Sequence, residues 1–225
     1  MATSGTTSST LTVREVIDLA CEELGILAMG DTLDATVAER AMTRLNWMLK
    51  TWQADGLTNG WRIEDVSITW PADTATATLD TNYLDLENVR RSISGIETPL
   101  ERFDADEYAQ LPNKAATGVP NSYVVKKTRD TLSVSLWPVP TAETTILADG
   151  ARIIEDVTDL GQNIDVPQEW LETVYMCLAA RLITPFKSLM TDPASAKAVE
   201  ERAATLYARL KTFGDESGSI YFQTA

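Results

Sequence analysis

V-P-Q-E-W-L-E-T-V-Y-M-C-L-A-A-R, Val166 to Arg181, marks the point where a strand period of two gives way to a helical one. Pro167 has a preset φ and no N–H to lose, which suits a first helical turn, and Glu169 favours the positive end of the helix dipole. Asp165 with Gln168 makes a capping-box pattern, whereas the residue before a proline resists α geometry and favours Val166 as the cap; both remain open. Leu171, Val174, Leu178 and Leu182 follow at spacings of three and four and share a face. Burying each contributes roughly 1.5 to 3 kcal/mol before entropy. The spacing therefore predicts a core helix, ending near Thr184-Pro185.

Upstream of this helix the pattern is β-rich. Val66, Ile68 and Trp70 alternate with Ser67 and Thr69, and Leu132, Val134 and Leu136 alternate with Ser133, Ser135 and Trp137, each run closing at a proline. These predict half-buried strands of an antiparallel sheet. Further strands are expected over Ala75–Leu79, Ser92–Ile96, Ser122–Lys127, Thr144–Ala148 and Ala151–Glu155. Asp104 to Tyr108 reads as a short helix with Asp104 capping and Glu107 in the third position, and Pro112 to Pro120 reads as loop.

Further upstream, Thr12 and Glu15 form a T-x-x-E box ahead of Val13, Val16, Ile17, Ala20, Cys21 and Leu24, and Gly25-Ile26 looks like a Schellman stop. A second, longer helix is expected from Asp34 to Ala54, with Val37, Ala41, Leu45, Met48, Leu49 and Trp52 inward and Asp55-Gly56 ending it. Downstream, Asp192-Pro193 restarts a helix whose Val199, Ala203, Leu206, Leu210 and Phe213 make one seam, closed by Gly214. No internal repeat is visible. The fold class is thus α+β: N- and C-terminal helix pairs form a bundle (residues 12–57 and 166–213) around an inserted antiparallel β-rich domain (58–165). Flexible arms are expected at 1–11 and 214–225.

The 225 residues, 44% hydrophobic, suffice for a sizeable core. Nineteen Lys+Arg against 33 Asp+Glu give a net charge of -14, which argues against a surface built to grip phosphates. The chain has no histidine, which removes the commonest general base, the Ser-His and Cys-His nucleophiles and nearly all zinc sites. Cys21 and Cys177 lie in apolar helical patterns, so buried free thiols are expected. The start, M-A-T-S-G-T-T-S-S-T, has the pattern of neither a signal nor a transit peptide, and no apolar run is long enough to span a bilayer.

The chemistry-bearing clusters have structural readings. Asp104, Asp106 and Glu107 could be paired carboxylates for acid/base work, but capping accounts for them without chemistry. Asp156, Asp159, Asn163 and Asp165 around Gly161 loosely resemble a calcium loop yet lack its glycine and closing glutamate, so a solvated turn is expected. Lys126, Lys127 and Arg129 lack interleaved aromatics and read as a protected strand edge. Phosphate-binding glycine loops and the G-x-S-x-G elbow are absent from the sequence. Ile220, Tyr221 and Phe222, beyond the last helix, either dock onto a partner or another subunit, or form a locally folded or disordered end.

Several stretches together resemble the head-to-tail connector, or adaptor, proteins of short-tailed bacteriophages, also called tail accessory or packaged-DNA-stabilisation factors. They are L-N-W-M-L-K-T-W-Q-A-D-G-L (Leu45 to Leu57), P-L-E-R-F-D-A-D-E-Y (Pro99 to Tyr108) with Lys114 and the G-V-P of Gly118 to Pro120, S-L-W-P-V-P (Ser135 to Pro140), and D-V-P-Q-E-W with its L-A-A-R. The resemblance implies a helical bundle with a β-rich extension, assembled as a dodecameric ring below the portal protein, lining the DNA channel and receiving a downstream tail or nozzle protein. It implies a structural role with no cofactor, no metal and no catalysis. The expected location is the neck or tail region of the virion, with host cytoplasm during assembly and no membrane partner. DNA would pass through the lumen without specific binding, past carboxylate-lined, repulsive walls. Two other classes compete: a carboxylate-dependent cell-wall glycosidase, which needs two carboxylates about 5 to 10 Å apart in a cleft, and a monomeric tail or fibre binding module.

Overall fold

The computed structural model describes residues 9–56, 61–79, 82–128 and 131–213. In chain order the elements are helices α1 (Val13–Glu23) and α2 (Ala35–Ala54), strands β1 (Ile63–Trp70), β2 (Thr76–Leu79), β3 (Tyr83–Ile93), β4 (Ile96–Pro99) and β5 (Glu101–Phe103), helix α3 (Ala105–Gln110), strands β6 (Thr117–Gly118), β7 (Ser122–Lys127), β8 (Leu132–Trp137), β9 (Val139–Pro140) and β10 (Thr144–Arg152), then helices α4 (Leu171–Phe186) and α5 (Ala196–Phe213). The fold is α+β, with two helices on either side of a β-rich segment. The chain divides into two compact units, Met1–Trp61 with Ile154–Ala225, and Arg62–Ile153.

The helical unit starts as its end signals dictate. Thr12 N–H donates to Glu15 Oε2 at 2.7 Å while Thr12 Oγ1 accepts from Glu15 N–H at 3.3 Å, a reciprocal cap for α1. At the other end Gly25 takes φ +64° and the Gly25 and Ile26 N–H groups donate to Glu22 and Cys21 carbonyls, each at 2.9 Å, the two bonds of a Schellman motif. Asp34 Oδ1 caps α2 through Thr36 N–H at 2.9 Å and Val37 N–H at 3.4 Å. Asp192 caps the 3-10 turn Pro193–Ser195 that leads into α5. Helix α4 packs against α1, α2 and α5, so it is the centre of the unit. Leu171, Val174, Leu178 and Leu182 are all buried, as are Val199, Ala203 and Leu210 of α5.

The start of α4 departs from both proposed caps. Pro167 stands outside the helix with ψ 152°, a 3-10 turn runs over Gln168–Trp170, and no side chain caps it. The Asp165 carboxylate instead accepts from the Glu155 N–H at 3.1 Å, and the Val166 N–H donates to the Ile164 carbonyl at 3.0 Å. The far end also runs past the expected stop: Pro185 lies within the last turn and α4 continues to Phe186. Phe186 is buried and carries the Arg44 guanidinium 5.9 Å over its ring.

The segment 154–165, placed in the β-rich domain on sequence grounds, belongs to the helical unit, and Trp61 belongs there too. Ile154, Val157 and Ile164 are buried in the helical core. Three side chains of α2 bind the backbone of this returning chain. Asn46 receives Val157 N–H at 3.0 Å and donates to Val157 O at 2.8 Å, Gln53 receives Ile154 N–H at 2.9 Å, and Lys50 donates to the Ile154 carbonyl. Asn46, Lys50 and Gln53 stand four and three residues apart, so one side of α2 supplies the partners that a neighbouring strand would.

The β-rich unit holds a four-stranded antiparallel sheet in the order β1-β10-β3-β4, a second sheet β2-β8-β7-β5, and a two-residue pairing of β6 with β9. Its core is Trp70, Leu86, Val89, Tyr123, Leu132, Val134, Leu136 and Ile146 with their neighbours. The structure makes three changes to the expected strands. Ser92–Ile96 is the hairpin between β3 and β4, turning at Ser94 (φ +52°) and Gly95 (φ +80°). The expected strands Thr144–Ala148 and Ala151–Glu155 merge into one strand, β10, which runs through Gly150, a site of close approach, and ends at Arg152, so that Ile153–Glu155 lie outside it. The pairs β5–β7 and β6–β9 are parallel, β5 reaching β7 by a crossover through α3.

Candidate interaction surfaces

Most carboxylates of the acidic clusters are engaged locally. Asp104 Oδ1 accepts from Glu107 N–H at 2.7 Å and Glu107 Oε2 from Asp104 N–H at 2.8 Å, a reciprocal cap on α3, while Asp106 is simply exposed. In the 156–165 loop, Asp156 pairs with Lys50 at 3.1 Å, Asp159 Oδ1 accepts from Gly161 N–H at 2.7 Å, and Asn163 bridges to Thr12. Carbonyls of the same loop meet the start of α1: Val13 N–H donates to Gln162 O at 2.8 Å and Arg14 N–H to Leu160 O at 2.9 Å. The loop therefore satisfies the orphan donors of a helix N-terminus. Among the described residues no three His, Cys, Asp or Glu side chains gather where they could hold a metal ion.

The basic group is divided. Lys127 Nζ lies 2.8 Å from Asp85 Oδ2, and Arg102 Nη2 lies 3.0 Å from Asp85 Oδ1, so one carboxylate on β3 joins cations from β5 and β7. Burial alone would raise the Asp85 carboxyl, but the hydrogen bonds from Lys127 and Arg102 outweigh it and hold it below the ordinary carboxylate range. β5 pairs with β7 only at Ser122–Val124, so Lys126 and Lys127 occupy a stretch of edge that β5 leaves open. Arg129 lies outside the described residues.

Trp170, from the stretch that decides the architecture, is buried and meets Trp52 at 5.9 Å and Trp61 at 5.8 Å, both edge-on. Its role is packing. Two surfaces that sequence reasoning missed are apolar and exposed. The β3–β4 hairpin tip carries the cross-strand pair Ile93 and Ile96, the latter 71% exposed. On α2, Trp47 is 63% exposed and stands on one face with Arg40, Thr43, Arg44 and Thr51. Helical spacing alone would have found this face, since neither Trp47 nor the two arginines falls among the inward positions.

A family model described as SU10 adaptor protein matches residues 11–220. The chain belongs to the SU10 adaptor family. It is a head-to-tail adaptor, a structural protein of the virion, and not an enzyme. No curated protein matches the chain. Family membership supports an oligomeric, portal-associated role in the assembling or finished particle. The glycosidase alternative has no support, and its best carboxylates cap α3.

The adaptor's two thiols are free, Cys21 buried and Cys177 partly so. Burial pushes Cys21 up to about 12 and Cys177 up to about 11, which leaves both protonated and unreactive at neutral pH. Ile220, Tyr221 and Phe222 lie outside the described residues.

Proposed function

We propose that this adaptor assembles as a ring, a dodecamer, stacked below the portal protein, lining the DNA channel and offering the next tail or nozzle protein its attachment surface. The observation that carries the reading is the family match across residues 11–220. The net charge of -14 gives the ring a physical task at the channel. Carboxylates facing the lumen would repel the phosphate backbone, so the duplex slides through without specific binding. Assembly would begin in the host cytoplasm and end in the virion neck.

The deciding experiment is electron microscopy of the adaptor mixed with its portal. The expected result is an added ring of twelve subunits coaxial with the portal; absence of ring density sinks the proposal, and a neutral or basic lumen sinks the repulsive-wall part of it. Ile220, Tyr221 and Phe222 are proposed to dock on the portal ring, since large apolar residues just beyond a helix suit a partner's groove. Deleting residues 215–225 should abolish capture of the portal in a pull-down, and unchanged capture would overturn the assignment.

A further inference from the structure

Helices α1 and α2 display outward stripes of identical spacing and opposite charge. On α2 the stripe is Arg40, Thr43, Arg44 and Trp47, and on α1 it is Glu15, Asp18, Leu19 and Glu22, each at i, i+3, i+4 and i+7. Such spacing places each quartet on one helix face about 10 Å long. Arg40, Thr43, Trp47 and Glu15 are exposed, and Arg44, Asp18, Leu19 and Glu22 are half-buried.

Each stripe lacks what the other supplies. Neither Arg40 nor Arg44 has a carboxylate partner among the described residues, in a chain with a 14-charge excess of acid. Neither Asp18 nor Glu22 has an ion-pair partner among the described residues. Trp47 is a large apolar group left in water, and Leu19 is an apolar position within the acidic stripe.

We propose that the two stripes are the two sides of one head-to-tail interface, α2 of one protomer lying against α1 of the next copy. The assignment rests on the ring reading above and names the surfaces that build the ring. A contact between two different patches of the same chain repeats from copy to copy and forms a ring when its rotation closes, whereas a contact of one patch with itself stops at a dimer. Arginine guanidinium groups match carboxylates and carry little hydration, and Trp with Arg is the pair most enriched at the energetic centre of protein interfaces. A nucleic acid fits the face less well: two unpaired arginines release few counterions, and the remaining surface is acidic.

The test uses the full-length chain, sedimentation over a wide concentration range and negative-stain microscopy. R40E/R44E and D18K/E22K should each weaken self-association at least tenfold. Mixed in equal amounts they should recover it, because every contact in an alternating ring again joins opposite charges, and a variant that merely misfolds would not be rescued. R40E alone keeps the Arg44–Phe186 contact, and W47A removes only an exposed ring; each should weaken association at least tenfold with unchanged thermal melting. Variants that associate like the parent, or a mixture that fails to recover, overturn the interface. Retention on DNA that R40E loses while self-association is unchanged also overturns it. Rings of parent and variants alike on the portal leave the ring reading standing and the interface refuted; a parent that stays monomeric alone and with the portal refutes both.

Discussion

Gly150 approaches Val66 so closely that a β-carbon on it would stand 2.6 Å from Val66 Cγ2, with Tyr83 Cδ1 at 2.8 Å. Val66 on β1 and Tyr83 on β3 flank β10 from either side, so the glycine lets three strands pack where a side chain could not fit. Gly150→Ala is expected to destabilise by about 1 to 3 kcal/mol through overpacking. Gly118→Ala, whose added carbon would meet Pro138 Cβ at an ordinary 3.5 Å, serves as control in the same thermal melts.

Asp85 links stability to pH. Its folded-state carboxyl is held below its ordinary value, so its contribution is complete above the unfolded value near pH 4 and is lost as pH falls through the folded one. Asp85→Asn should cost about 1 to 2 kcal/mol at pH 7, the scale of charged hydrogen bonds whose cations can turn to solvent. In urea titrations the gap between the two proteins should narrow steadily below pH 4. A gap constant down to pH 2 would show that the loss is packing alone.

The β3–β4 turn has positive φ at both central residues, Ser94 and Gly95. Two-residue hairpins of this kind favour Asn-Gly and Gly-Gly, and serine is strained there. Ser94→Asn or Ser94→Gly should raise stability by about 0.3 to 1 kcal/mol, read as a higher melting temperature.

Asn46 holds both backbone groups of Val157. Asn46→Ala should cost about 1 to 3 kcal/mol by leaving that N–H and C=O without partners. Hydrogen exchange should localise the loss, with the Val157 amide gaining exchange far more than amides in α5.

The helices were legible because their ends are written locally: Thr12 with Glu15, Gly25, Asp34, Asp104 with Glu107, and Asp192-Pro193 all act within a few residues of themselves. Strand β3 was not legible, for a physical reason. Leu86 and Val89 are both buried although an odd spacing separates them, because Asn88 takes φ +47° where the pairing with β10 shifts register between Leu147 and Asp149. A bulge reverses parity, so a search for a period of two finds nothing there. The return segment 154–165 was assigned to the β region because its partners are side chains of α2, more than a hundred residues away. The exposed Trp47 face is not legible in apolar periodicity, which selects inward positions and passes over an apolar residue among arginines.

The buried thiols described above have an electrical consequence. The chain has no histidine, burial holds Cys21 at about 12 and Cys177 at about 11, and Tyr123, Tyr175 and Tyr207 are all pushed up by burial. Near neutral pH these thiols and tyrosines stay protonated and uncharged. Contacts between its carboxylates and its arginines therefore do not depend on an imidazole proton, and dissolved salt, which screens exposed charge pairs, is a lever that loosens them.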